Sequence, residues 1–267
     1  MNESTPMSAP SRRSIFLETR AAIDVARMIG PLVGAQFSRS EARDDLHVIV
    51  VPGFGADDRS TAPLRHYLKS RGFTAEGWGL GRNLAGINLR HTLDDLSPSW
   101  DVDRQREPYR GEAGVPYLCD RFIDRVRERH AELERPIALI GWSLGGYVTR
   151  EAARDLPEIV NRVVTLGSPI VGGPKYTAAA QFFTKRGMDL DWIESEIGKR
   201  DARPISQPVT AIYSKSDAIV SWEAALDRSN ESVKHIEVDA AHLGMAFNPT
   251  IWSHVLDALA PRADRPE

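Results

Sequence analysis

The chain of 267 residues contains a single cysteine, Cys119, so it can form neither an intramolecular disulfide nor a cysteine-based zinc site. It also lacks any apolar run of the roughly 20 residues that a membrane-spanning helix needs, which argues against an integral membrane segment. The 34 basic residues do not outnumber the 37 acidic ones, and a net charge of -3 argues against nucleic acid as a partner. With no internal repeat or low-complexity tract, the sequence predicts an ordinary globular protein, and we expect it to be cytoplasmic.

The N-terminal part of the chain differs from the rest. Residues 1–13 are rich in Ser and Pro, which predicts disorder. Apolar spacing over 15–37 predicts an extra helix, broken near Gly30-Pro31 because proline interrupts helical hydrogen bonding. Charged residues divide each apolar stretch here, so the pattern does not indicate a signal peptide. We therefore expect residues 1–45 to precede a catalytic domain over 46–265.

Buried strands and helices alternate along this domain, which predicts an α/β fold with a mostly parallel central sheet flanked by helices. Two segments do not fit the alternation, namely the polar loop 89–114 and the longer insertion 170–206. Long insertions of this kind are usually functional loops or lids. The predicted strands are 47–55, 73–78, 136–142, 160–169, 208–217 and 233–242.

The stretch Gly-Trp-Ser-Leu-Gly at 141–145 matches G-x-S-x-G at the junction of a predicted strand and helix. A serine in so tight a turn has unfavourable backbone angles, which cost about 1–3 kcal/mol. The turn exposes the Ser143 hydroxyl beside the first helical amide, where the helix dipole favours negative charge. A phosphate-binding loop is disfavoured because no lysine follows the glycines. Ser143 is the candidate nucleophile, and the alternative is an incidental serine in a glycine-rich turn.

A serine nucleophile requires a base and a group that orients the base. In this fold class the acid and then the histidine follow the serine, each on a loop after a strand. Asp217 and His242 satisfy both conditions, whereas His91 in the long loop is a weaker competitor. Alternative roles remain open: Asp217 could cap a helix and His242 could be a loop histidine.

Stabilising an oxyanion requires two backbone amides. One should belong to Leu144, which follows the nucleophile, and the other to the loop after an earlier strand. In the stretch Val-Val-Pro-Gly-Phe, Gly53 lets the backbone approach and Phe54 is the expected donor. The alternative is that Pro52-Gly53 forms a plain turn.

These residues resemble the α/β-hydrolase family, and within it the bacterial lipases and esterases. The similarity covers about residues 46–260, although lipases often have His-Gly where this chain has Pro52-Gly53. The similar stretches are VVPGFGADD (50–58), GWSLGG (141–146), VVTLGSPIVG (163–172), YSKSDAIV (213–220) and DAAHLGM (239–245).

The resemblance implies an α/β-hydrolase fold and hydrolysis of a carboxylic ester through an acyl-enzyme, with no metal or organic cofactor. It also implies a small helical cap at 170–206. Phe182, Phe183 and Trp192 give this cap an apolar face. They either pack the cap onto the domain or line an acyl site, in which case the substrate is a small-molecule ester with an apolar part.

Three alternatives to ester hydrolysis stay open. The same acyl-enzyme could transfer its acyl group to an alcohol, which would make the protein an acyltransferase. The bond cleaved could be an amide or lactone. The chain could also be a non-catalytic binding protein on a hydrolase scaffold. The sequence predicts no particular oligomeric state.

Overall fold

The computed structural model describes residues 7–10, 18–37, 43–230 and 232–260, so most of the predicted disordered segment 1–13 lies outside it. In the described ranges six strands form one parallel sheet: β1 (Arg43–Val51), β2 (Phe73–Gly77), β3 (Ile137–Trp142), β4 (Val160–Leu166), β5 (Val209–Tyr213) and β6 (Val233–Glu237). The helices there are α1 (Ala21–Phe37), α2 (Ala62–Ser70), α3 (Gly114–Leu133), α4 (Leu144–Asp155), α5 (Ala180–Lys185), α6 (Leu190–Asp201) and α7 (Pro249–Leu259). None of those helices combines the length and apolarity of a membrane span.

The sheet is covered on both faces, as its continuous apolar strands predict. Successive residues of a strand point to opposite faces. Accordingly, Val48 and Val50 of β1 pack with residues of α2 and α7, whereas Ile49 and Val51 pack with residues of α3 and α4. Every residue of β3 is buried. The resulting core lies in two layers, one on each side of the sheet.

The strand order β2-β1-β3-β4-β5-β6 reverses direction once. The chain first adds β2 on one side of β1, and α3 then returns it to place β3 on the other side. In open parallel sheets, ligands bind outside the carboxyl ends of the strands at such a switch point. The loop after β1 and the turn after β3 therefore flank the expected site.

The N-terminal helix α1 runs through Pro31 without interruption, so the predicted break at Gly30-Pro31 is wrong. Proline removes one helical hydrogen bond and crowds the preceding turn. Gly30 is exposed and has open space around it. The lost hydrogen bond and the crowding therefore lie at the protein surface and not in the core. Packing of α1 against α2 and α7 keeps the helix in place.

The two irregular segments are ordered and touch each other. The insertion 170–206 contains α5 and α6, and the loop 89–114 buries Leu93, Leu96 and Trp100 in the core. Arg106 of the loop forms an ion pair of 2.9 Å with Asp189 of the insertion. Tertiary contacts therefore hold both segments against the domain.

A buried charge network joins α6 to α4, the helix that follows the serine turn. Glu151 of α4 is fully buried and contacts three guanidinium groups: Arg200 of α6 at 2.7 Å, Arg154 at 3.2 Å and Arg150 at 3.5 Å. Breaking a buried ion pair leaves an uncompensated charge, which costs far more than breaking an exposed pair. The insertion is thus fixed to α4 by electrostatics as well as by apolar packing.

We predict that Glu151→Gln lowers the free energy of unfolding by about 3 kcal/mol, because it leaves cationic groups without their buried partner. The matched control is Glu237→Gln, which breaks a solvent-exposed pair with Lys215 and should lower the free energy of unfolding much less, because water screens exposed pairs. Urea titration of both variants measures the difference. Equal losses would show that the Glu151 network does not stabilise the fold.

Candidate active site

Ser143 lies at the turn between β3 and α4 with φ 54° and ψ -126°. A non-glycine residue with such angles is strained, by about 1–3 kcal/mol, and is retained only where its surroundings force it. Here the Ser143 amide donates to the Leu166 carbonyl at 2.8 Å, and the Ser143 carbonyl accepts from the Gly146 amide at 2.9 Å. Adjacent strand and helix thus both hold the strained residue.

Close approach of backbones explains the glycines of the turn. A side chain at Gly145 would place its Cβ 2.4 Å from the Val51 carbonyl oxygen and 2.7 Å from that of Pro52. A Cβ at Gly53 would lie 3.0 Å from the Cβ of Ser143. The absence of side chains therefore lets the loop after β1 lie directly against the serine turn.

Asp217 and His242 are brought together from the loops after β5 and β6. The distance from His242 Nδ1 to Asp217 Oδ2 is 2.7 Å, and both side chains are almost completely buried. The other carboxylate oxygen, Oδ1, accepts from the amides of Ile219 and Val220, each at 2.8 Å. These three hydrogen bonds fix the Asp217 carboxylate in one orientation.

This pairing sets the tautomer of His242. A carboxylate can only accept hydrogen bonds, so Nδ1 carries the hydrogen that it donates to Asp217. In the neutral imidazole, Nε2 then holds the lone pair that can accept a proton. The Trp142 indole donates to the His242 carbonyl at 3.2 Å and holds the backbone of the histidine. His242 and Ser143 line the same cavity.

Phe54 and Leu144, the expected oxyanion donors, line the same cavity as Ser143. Leu144 is the first residue of α4, where helical amides have no intrahelical acceptor. The loop that carries Phe54 is fixed by buried Asn83, whose side chain donates to the Pro52 carbonyl at 2.8 Å. The Asn83 carbonyl also accepts from the Gly55 amide at 2.7 Å. Asn83 has no motif around it, so sequence reasoning missed its role.

Ser143 lines a cavity of about 1240 Å³, a volume that includes its open mouth. Its wall is mostly apolar and includes Phe183, Trp192 and Ile197 from the insertion 170–206. Tyr147 of α4 also lines it, and burial raises the pKa of this tyrosine, which therefore stays neutral. The cavity can thus hold an apolar group next to the serine hydroxyl.

The predicted cap aromatics are not equivalent in the structure. Phe183 and Trp192 lie in the cavity wall, whereas the Phe182 side chain is 43% exposed and lies outside it. Phe182 packs against Phe54 and Phe183, with ring centroids 6.0 and 5.2 Å apart. Consecutive residues of a helix point in different directions, so Phe182 and Phe183 do not both reach the cavity wall although they are adjacent in sequence.

The loop 89–114 contributes three wall residues that sequence reasoning did not identify, Trp100, Gly111 and Glu112. Buried Glu112 forms an ion pair of 3.4 Å with Arg106 and accepts from the Arg110 amide at 2.7 Å. The Arg106 guanidinium also lies 4.5 Å from the ring centroid of Trp192. The loop and the insertion therefore contact each other and share the wall of the cavity.

Sequence comparison finds similarity to a known protein over part of this chain. A scan against models of known protein families finds no match. Over 105 residues the chain is 30% identical to a pimeloyl-[acyl-carrier protein] methyl ester esterase of Aliivibrio fischeri. That match spans 38% of this chain and 36% of the relative.

Solved structures give broader coverage at lower identity. An esterase of Pyrococcus furiosus aligns with a TM-score of 0.50 and 17% identity, over 80% of this chain and 82% of its own. A hydrolase of Pseudomonas aeruginosa aligns at 0.53 and 17%, over 83% and 92%. A structure of metagenome-derived lipolytic enzymes aligns at 0.54 and 14%, over 82% and 94%. The predicted fold is confirmed: this chain has the α/β-hydrolase fold.

We predict that Gly145→Ala destabilises the protein by about 1–3 kcal/mol, because its Cβ would collide with backbone atoms that cannot move independently. The matched control is Gly198→Ala in α6, where the added Cβ meets nothing within 4 Å. That control should gain about 0.5–1 kcal/mol from helix propensity. Chemical denaturation of both variants tests the argument, and a Gly145→Ala protein as stable as the wild type would refute it.

Proposed function

We propose that this protein is a serine hydrolase that cleaves carboxylic esters with an apolar part, through Ser143, His242 and Asp217. One observation carries the proposal: strained Ser143 opens into the cavity that His242 lines, and His242 is held by Asp217 at 2.7 Å. A base oriented by a buried carboxylate near an exposed hydroxyl is the arrangement that activates a serine. Similarity to esterases and lipolytic enzymes supports the same reaction class.

In the proposed first half-reaction, Ser143 Oγ attacks the ester carbonyl carbon while His242 Nε2 takes the hydroxyl proton. The carbonyl oxygen becomes an oxyanion, to which the amides of Phe54 and Leu144 donate hydrogen bonds. Asp217 stabilises the imidazolium that forms. The intermediate then collapses: the carbon–oxygen bond to the alcohol breaks, and the alcohol leaves with the proton from His242.

The second half-reaction releases the acid. A water molecule attacks the acyl-enzyme carbonyl while His242 removes one of its protons. The bond to Ser143 Oγ then breaks, and His242 returns the proton to the serine oxygen. The enzyme is restored, and the net reaction is the addition of water to one ester bond. No redox step occurs in this cycle.

The cavity supports a substrate with an apolar acyl or alcohol part. Its carboxylates are neutralised by neighbours: Glu112 pairs with Arg106, and Glu196 pairs with Lys199 at 2.7 Å. The remaining wall offers mainly aromatic and aliphatic surface, which binds a chain by removing it from water. Transfer of the acyl group to an alcohol would use the same residues. Product analysis with added alcohol therefore separates a transferase from the hydrolase that we propose.

We predict that Ser143→Ala abolishes hydrolysis of p-nitrophenyl butyrate while the melting temperature stays near that of the wild type. In another serine hydrolase, losing the nucleophile lowers kcat by about 10⁶. His242→Ala and Asp217→Asn should also be severely impaired, but neither should add much to the loss in Ser143→Ala, because the three residues act as a unit.

Ser253→Ala is the matched control, since this serine is exposed on α7 and should leave the rate unchanged. The measurement is initial rate against ester concentration for each purified variant. More than about a tenth of the wild-type kcat in Ser143→Ala, against the loss of about 10⁶ expected, would disprove the assignment of the nucleophile.

The cavity wall should set chain-length preference. Trp192→Ala and Phe183→Ala each enlarge the apolar space, so the kcat/KM ratio for decanoate over butyrate esters should rise by about tenfold, within the 1–3 kcal/mol that a methylene-sized pocket provides. Phe182→Ala removes an exposed neighbouring ring outside the wall and should change that ratio less. If the ratio is the same in all three variants and the wild type, the aromatics only anchor the insertion.

A further inference from the structure

The side chain of Glu18 lies outside the proposed reaction yet is buried beside it. It is 8% exposed, and its Oε1 accepts hydrogen bonds from the amides of Ala218 and His242, each at 3.1 Å. Its Oε2 accepts from the amide of Leu243 at 2.8 Å. Ala218 directly follows Asp217. One carboxylate from the N-terminal segment thus joins the loop of the proposed acid to the loop of the proposed base.

Two further contacts fix the segment that carries Glu18. Arg20 forms a bidentate ion pair with Asp239, at 2.9 and 3.2 Å, and Asp239 accepts from the Ser216 hydroxyl at 2.9 Å. Asp24, almost fully buried, accepts from the Asn248 side chain at 2.8 Å. We call residues 18–24 the N-terminal brace. It is anchored on both sides of the histidine loop.

The positions of the three amides explain why a carboxylate is needed. Buried backbone amides require an acceptor, and an ionised carboxylate is a stronger acceptor than a neutral group. The Ala218 and His242 amides share a single oxygen, so the separation of the two loops is set by the bonding geometry of one atom. Each of these loops carries one partner of the hydrogen bond between His242 and Asp217.

We infer that Glu18 is a positioning residue that holds the Asp217 and His242 loops in their reactive geometry. The inference rests on the proposed function. The Glu18 carboxylate binds two cavity-wall residues, His242 and Leu243, through their backbone amides. It acts on the base through the backbone, and substrate binding in the apolar cavity does not depend on it.

The kinetic test compares Glu18→Ala and Glu18→Gln with the wild type on p-nitrophenyl butyrate. A displacement of about 1 Å in a catalytic group costs up to about a hundredfold in rate, so Glu18→Ala should lower kcat by about tenfold to a hundredfold. KM should change less than twofold. The kcat of Glu18→Gln should lie between those of the wild type and Glu18→Ala, because the amide oxygen of glutamine can still accept the hydrogen bonds from Ala218 and His242.

Two control variants separate positioning from stability. Arg27→Ala alters a 66% exposed side chain of α1 and should match the wild type in kcat. Asp24→Ala loosens the N-terminal brace at its Asn248 contact but keeps the three amide bonds to Glu18. At temperatures well below each melting point, Asp24→Ala should keep most of its kcat. If Glu18→Ala is folded and its kcat equals that of the wild type, the inference is overturned.

Amide hydrogen exchange provides a readout that does not need ester hydrolysis. In Glu18→Ala the amides of Ala218, His242 and Leu243 should exchange at least about tenfold faster than in the wild type, because their shared acceptor is gone. Arg27→Ala should leave these rates unchanged. Unchanged exchange in Glu18→Ala would overturn the inference. If the wild-type protein cleaves no ester but the three amides exchange faster in Glu18→Ala, only the proposed function is overturned.

Discussion

The conformation of Ser143 is the constraint on which the rest of the structure depends. A non-glycine residue at φ 54° and ψ -126° is strained, so the neighbouring elements must hold Ser143 in this conformation. β4 accepts the serine amide, α4 begins at the next residue, and the loop after β1 packs against the turn. The three elements meet where the strand order reverses, and the same place leaves room for a cavity.

Catalysis at this turn would need parts that are far apart in the chain to keep fixed distances. The strands provide the coarse geometry because β5 and β6 carry the loops of Asp217 and His242 on one edge of the sheet. The finer geometry comes from polar contacts: Asn83 fixes the loop of Phe54, and Glu18 joins the two loops. Buried hydrogen bonds of this kind are costly to break, which makes them suitable for holding loops.

The sequence predicted those features that depend on local patterns. Continuous apolar runs identify the strands, and G-x-S-x-G at a strand–helix junction identifies the turn of Ser143. By contrast, Glu18 and His242 are separated by 224 residues. A glutamate before a surface helix is usually exposed, so no local pattern distinguishes it from its solvated neighbours. The break expected at Pro31 failed for a related reason, since packing of α1 on the domain outweighs the local preference.

The most direct test of the account is to locate the adduct of a fluorophosphonate probe, because such a probe reacts only with an activated nucleophile. The protein is incubated with the probe and digested, and the modified peptide is sequenced by mass spectrometry. The account predicts one adduct per chain, on Ser143, that does not form in His242→Ala over the same time. No adduct in the wild type, or an adduct on another residue, would contradict it.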